Sequence, residues 1–208
     1  ASLCPTAFSH LATFMDALKV KVLIIGPARC GKTRIANYLA EFEESPNFDV
    51  YNPTAGVRIQ EFERTVKLNN GRTTKLQVEL WDNSGDKKYE NCWTAILRQA
   101  QGVVMVYDPT IRTQEKDIEL WHKAFVQPLK LKDDQICIFA HHHEAVGSRT
   151  WQAPRSLDKF MFETTTLDSD DGSSTMRRAF DRFLGSVASA VSDKKSQDLE
   201  ASLQVAER

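Results

Sequence analysis

Gly26, Pro27, Ala28, Arg29, Cys30, Gly31, Lys32 and Thr33 make a GxxxxGK[ST] run. These residue types at this spacing suit one chemistry, the holding of a polyphosphate. The two glycines permit a tight loop, and the backbone N–H groups along Ala28, Arg29 and Cys30 can then face anionic oxygens. Lys32 adds a point charge for the β- and γ-phosphates. The Thr33 hydroxyl is a ligand for Mg²⁺ bridging the same phosphates. The flanks give the match its meaning. Residues 20–25 read as a buried strand and residues 34–43 as a helix, whose N-terminus contributes partial positive charge. The competing reading is an ordinary β–α turn with a chance match.

Bulk properties bound what can surround such a loop. At 208 residues the chain is long enough for one domain with a sizeable core, and 41% hydrophobic content can fill it. A net charge of −1 argues against a general nucleic-acid binder. Cys4, Cys30, Cys92 and Cys137 are scattered without a CxxC pair, so free thiols in a reducing compartment are expected. No run approaches the roughly 20 apolar residues of a membrane span. The first residues lack the basic and apolar blocks of a signal peptide. Residues 205–208 offer no cysteine for a prenyl group, so any membrane location is expected to come through a partner.

The elements that must position the loop follow from periodicity. Phe8, Leu11, Met15 and Leu18 fall near helical spacing but precede the first strand, and a loose leader is the plainer reading. Helix one is expected to end near residues 44–46. Residues 57–68 alternate through Val57 and Ile59, with a slip before Phe62, then Val66 and Leu68. The Asn69, Asn70, Gly71 turn leads to a second strand over 75–81, giving an antiparallel hairpin. A helix is expected over 91–99 and a strand over 102–107. Ile118, Trp121, Phe125 and Leu129 mark an amphipathic helix from about Gln114. Strands follow at 135–140 and 159–163. Met176, Phe180, Phe183, Leu184 and Val187 mark the last helix, and 193–208 reads as a solvated charged tail. Strands alternating with helices imply an α/β fold of three layers with a mostly parallel sheet, whose ligands sit beyond the carboxyl ends of the strands. The phosphate loop lies at that edge, as do Asp82, Asp108 and the run His141, His142, His143.

Three further pieces stand where a nucleotide switch needs them. Thr54 lies in a polar loop after helix one. Asp82 and Gly85 end the third strand in Trp81-Asp-Asn-Ser-Gly-Asp-Lys-Lys-Tyr89. Glu163, Thr164, Thr165 and Thr166 end the last strand. With the phosphate loop, this order resembles the Ras-like small GTPases, and more narrowly the Rab branch. The resemblance implies a P-loop NTPase G domain over 19–192, with a six-stranded sheet carrying one antiparallel hairpin strand. An N-terminal extension (1–18) and a charged C-terminal tail (193–208) would flank it. It implies GTP/GDP as ligand, with Thr33, Thr54 and Asp82 serving Mg²⁺, Thr54 and Gly85 meeting the γ-phosphate through backbone N–H, and Thr165 and Thr166 bordering the base. Loss of the γ-phosphate would then release the loops at 45–56 and 83–93.

Departures from the family pattern bear on activity. Asp86 replaces the Gln that orients the attacking water, so slow intrinsic hydrolysis is expected. The base-reading motif Asn-Lys-x-Asp is replaced by His141, His142, His143 and Glu144. Glu144 can still accept from guanine N1–H and the 2-amino group, which adenine lacks, and His142 can stack on the base. Thr166 stands where a small Ala usually meets guanine O6. Guanine preference with weakened affinity is expected. A metal site at the three histidines is disfavoured, because neighbouring strand residues point to opposite faces.

The Rab-like body, the Gln-to-Asp change and the altered base motif are similar to Rab-like GTPases of the intraflagellar transport B complex. That likeness implies a place in the cytoplasm, ciliary base and cilium or flagellum, bound to coiled-coil subunits of the B core. It offers no direct lipid anchor and no nucleic-acid partner. By alignment Ile59, Trp81 and Leu97 occupy the Rab aromatic triad, two of them aliphatic. Trp93 and Tyr89 are alternative interface anchors or half-buried packing. Two readings stay open, a GTP-driven switch and a structural subunit that nucleotide merely stabilises. A nucleotide kinase on the same loop would need an acceptor-binding lid, and 102–140 holds no such insertion.

Overall fold

The computed structural model describes residues 18–41, 52–142 and 151–206. Among these residues six strands form one sheet in the order β2–β3–β1–β4–β5–β6. They are β1 (Leu18–Ile25), β2 (Val57–Lys67), β3 (Thr73–Asn83), β4 (Gly102–Tyr107), β5 (Ile136–His141) and β6 (Met161–Thr165). Only β2–β3 is antiparallel, and the other neighbours run parallel. The expected fold class is therefore observed.

β4 and β5 are buried at every position, which is what strands covered on both faces require. Alternation splits the core in two. Val20, Val22 and Ile24 of β1 face α1 (Lys32–Leu39) and α5 (Asp170–Ala206), meeting Ile35, Leu39, Phe180 and Phe183. Leu23 and Ile25 face the other way, toward Ile118 and Trp121 of α3 (Arg112–Trp121). The short α2 (Trp93–Leu97) joins that second layer through Ile96.

Several boundaries differ from the sequence reading. α1 ends at Leu39 because Glu41 turns left-handed, with φ 56°. β2 has no slip, since its pairing with β3 runs unbroken from Val57↔Asn83 to Lys67↔Thr73. Its inward face carries Gln60 and Val66, and Ile59 stays 46% exposed. Gln60 is tolerated inside because its amide bonds that of Asn37 on α1 at 2.7 Å. α2 is shorter than expected at both ends: a 3₁₀ turn (Lys87–Cys92) takes its first two residues, and the helix stops at Leu97, before the left-handed Gln99. α3 begins at Arg112 and passes through a π turn (His122–Val126) into α4 (Gln127–Leu129). Pro128 explains the turn: it lacks an N–H and crowds the preceding carbonyls. β6 starts two residues later than expected. α5 continues through the charged tail to Ala206, with Leu199 and Leu203 on an exposed face.

Among the described residues no helix is long and apolar enough to cross a membrane. Cys30, Cys92 and Cys137 are free thiols. Cys4, the 1–17 leader, the loop at 42–51, His143 and Glu144 lie outside the described residues.

Candidate functional site

The loop between β1 and α1 sits at the carboxyl edge of the sheet, against the end of β4. Gly26 has φ 144°, and a Cβ there would fall 1.9 Å from the Val106 carbonyl oxygen. Gly31 has φ 87°, and its Cβ would fall 2.5 Å from the His141 ring. Side chains are therefore excluded at both ends of the loop. Lys32 is 6% exposed and donates to the carbonyls of Gly26 (2.9 Å) and Pro27 (2.7 Å). Its ammonium is held over the loop rather than swung into solvent. Cys30 Sγ donates to Val106 O at 3.2 Å, and burial pushes its thiol pKa up. The buried thiol packs against the end of β4. Arg29 is left-handed at φ 64° and exposed, as is Ala28 beside it.

Next to the ammonium three oxygen-bearing side chains meet. The Thr33 hydroxyl donates to Asp82 Oδ2 at 2.6 Å and lies 2.9 Å from the Thr54 hydroxyl. Thr54 Oγ1 is 3.2 Å from the same carboxylate oxygen. Asp82 is fully buried, and its Oδ1 has no hydrogen-bond partner among the described residues. Burial raises its pKa, while the Thr33 bond and the Lys32 charge act in the opposite direction. A buried carboxylate with an idle oxygen beside two hydroxyls is a hard-oxygen donor set that suits Mg²⁺. The sequence proposed these three residues from separate stretches, and the fold brings them together.

Gly85 backs onto the phosphate loop. A Cβ on it would lie 2.4 Å from Ala28 N and 2.5 Å from Pro27 C. From the other side, Gln114 Nε2 donates to Ala28 O at 3.2 Å, and Gln114 Oε1 accepts from Asp108 N at 2.8 Å. Gln114 was not singled out from sequence as a site residue. It sits one turn before Ile118 on the buried stripe, and a polar side chain on an apolar face was the available signal. Asp108 itself caps a turn, accepting from Thr110 N at 2.9 Å.

The Asp86 carboxylate is engaged by Lys88, two residues on. Its Oδ1 accepts from Lys88 N at 3.0 Å, its Oδ2 pairs with Lys88 Nζ at 3.0 Å, and it caps the 3₁₀ turn that follows. The Lys88 N–H and ammonium hold its carboxyl below the usual range. It remains a carboxylate with a structural partner.

At the end of β5, His141 is buried under Gly31. His142 is also buried, its N–H donating to Thr165 O at 3.1 Å. The His142 ring lies 5.1 Å from that of Trp151, a residue the sequence reading missed because eight residues separate the two. Thr165 and Thr166 are buried at the end of β6, and Thr166 Oγ1 accepts from Asp168 N at 3.1 Å. Glu144 lies outside the described residues.

Of the interface candidates, Trp93 packs inward, with ring centroids 5.2 Å from Trp121 and 4.8 Å from Phe125. This favours packing over docking. Trp81 is half-buried beneath the Lys21 ammonium, 3.4 Å from its ring centroid. Its strand partner Ile59 is exposed.

Comparison with known proteins agrees with this geometry. The sequence profile of the Roc family (Ras of Complex, Roc, domain of DAPkinase) matches residues 21–144. An intraflagellar transport protein 22 homolog from Danio rerio is 37% identical over 183 residues, covering 86% of this chain and 96% of the relative. The crystal structure of T. brucei IFT22/74/81 in its GTP-bound form is similar, with TM-score 0.66 and 29% identity over 83% of this chain and 96% of that one. GDP-bound T. brucei IFT22 is similar with TM-score 0.57 and 27% identity over 81% and 97% of the two chains.

Proposed function

The chain belongs to the intraflagellar transport protein 22 family, also called Rab-like protein 5, of Ras-like small GTPases, and from that membership we infer that it binds GTP and GDP as a subunit of the intraflagellar transport B complex. The observation that carries the nucleotide reading is the meeting of Thr33, Thr54 and the idle Asp82 oxygen beside the looped Lys32. The backbone N–H groups of the loop and the α1 N-terminus receive phosphate oxygens, and Lys32 neutralises their charge. Thr33, Thr54 and Asp82 would hold Mg²⁺, which supplies charge neutralisation across the β- and γ-phosphates. Thr54 and Gly85 add backbone N–H groups toward the γ-phosphate. His142, Thr165 and Thr166 border the base, with Glu144 accepting from guanine N1–H and the 2-amino group. Release and chromatography of nucleotide from the purified chain tests this: stoichiometric GDP or GTP is expected, and an adenine nucleotide or none contradicts it.

Hydrolysis is slow in this reading. Asp86 is engaged by Lys88, and a carboxylate there opposes an anionic γ-phosphate. The partner is a coiled-coil pair of the B core, and the location is the cytoplasm, the ciliary base and the cilium or flagellum. The relative seen with IFT74/81 supports the first, and the family supports the second. The capped Asp86 also favours the second reading, a structural subunit without a working cycle. Affinity for the coiled-coil pair with GTP, with GDP and without nucleotide separates them, because a switch needs differential binding.

A further inference from the structure

Arg34 and Asp168 are 134 residues apart in sequence, yet Arg34 NH2 donates to Asp168 Oδ1 at 2.8 Å. Arg34 directly follows Lys32 and Thr33 in the first turn of α1, the wall that would hold phosphate. Asp168 follows Thr165 and Thr166, the wall that would border the base. We propose that this ion pair is a clasp across the nucleotide groove, and that Arg34 and Asp168 are positioning residues that slow nucleotide release. The inference rests on the nucleotide reading above.

Both ends of the pair are fixed. Ile35 N donates to Gly31 O at 2.9 Å and the Ile35 side chain is fully buried, so the turn carrying Arg34 is seated in the core. Asp168 N donates to Thr166 Oγ1, Gly172 N to Ser169 Oγ at 3.2 Å, and Ser173 N to Ser169 O at 3.0 Å. The turn after β6 is thereby braced against α5. A pair between two braced backbones loses little side-chain freedom on forming, and its side chains are only 32% and 28% exposed. Both features lift it above the ordinary surface pair, which contributes almost nothing. Separating the phosphate wall from the base wall requires breaking it.

The test is release of fluorescent mant-GDP from the full chain, chased with excess GDP in Mg²⁺. Arg34→Ala and Asp168→Ala are each expected to speed release about three- to fivefold. The double variant should be no faster than the faster single, and the charge swap Arg34→Asp with Asp168→Arg should return release to within about twofold of wild type. Affinity for inorganic pyrophosphate, which does not reach the base wall, should stay unchanged in Asp168→Ala, which leaves the α1 wall intact. A pair that only braces the fold would lower the melting temperature of nucleotide-free protein and leave release unaltered, which overturns the clasp. A swap as fast as the single variants also overturns it. Wild-type protein that binds no mant-GDP overturns the nucleotide reading and this inference together. Tight wild-type binding with unchanged release in both single variants overturns this inference alone.

Discussion

Thr33 Oγ1 donates to Asp82 Oδ2 across 2.6 Å, tying the first turn of α1 to the end of β3. That bond fixes one oxygen of a buried carboxylate and leaves the other idle. Where a family would place a metal, this chain has collected a charge that its own hydrogen bonds do not fully satisfy.

Removing that charge changes how stability depends on pH. Burial raises the Asp82 pKa in the folded chain above its ordinary 3.8. The folded state then keeps the proton over more of the acid range than the unfolded state does. In nucleotide-free protein, stability therefore falls as pH rises from the ordinary carboxylate pKa through the raised one, and stays lower above it. Asp82→Asn should flatten that fall and leave the nucleotide-free urea midpoint at neutral pH unchanged or higher. The same variant should lose the Mg²⁺-dependent part of GDP affinity. A lower midpoint at neutral pH would contradict the assignment.

Asp86 is expected to contribute as a cap and not as a catalyst. Asp86→Ala should lower the melting temperature only modestly, through loss of the bond to Lys88 N. Single-turnover GTP hydrolysis by wild type should stay below about 10⁻³ s⁻¹, the scale of an unassisted small GTPase. The alanine variant should hydrolyse no more slowly. A tenfold fall in rate on that substitution would place Asp86 in the chemistry.

Gly85 offers a test of how closely the segment after β3 rests on the loop between β1 and α1. Its missing Cβ would meet the Pro27–Ala28 backbone, which cannot swing aside. Gly85→Ala should cost about 1–3 kcal/mol by overpacking, with a melting temperature lower by about 2–4 °C per kcal/mol. Unchanged melting by calorimetry would mean that the loop yields freely.

Local patterns were legible in the sequence, and long-range ones were not. The strand–loop–helix around Gly26 to Thr33, β4 and the buried stripe of α5 follow from contiguous residues and periodicity, and the structure carries these elements as read. The mostly parallel sheet with one antiparallel hairpin followed from the alternation of elements and from the family resemblance, while the strand order came from the structure. The slip placed before Phe62 was wrong because Gln60 is buried through a bond to Asn37, a partner 23 residues away. α1 stops early where Glu41 meets Arg64 at 3.1 Å and also pairs with Arg177 of α5. No local rule announces such a meeting. The cap by Asp86 was the reverse case, a bond spanning two residues that family expectation masked.

The central claim is that Lys32 and the loop amides hold a polyphosphate chain. Isothermal calorimetry of GDP·Mg²⁺ binding to wild type and to Lys32→Ala tests it most directly. Loss of one or two charge-assisted bonds, at about 1.5–3 kcal/mol each, predicts affinity weaker by at least about tenfold. The same dissociation constant in both proteins would contradict the account.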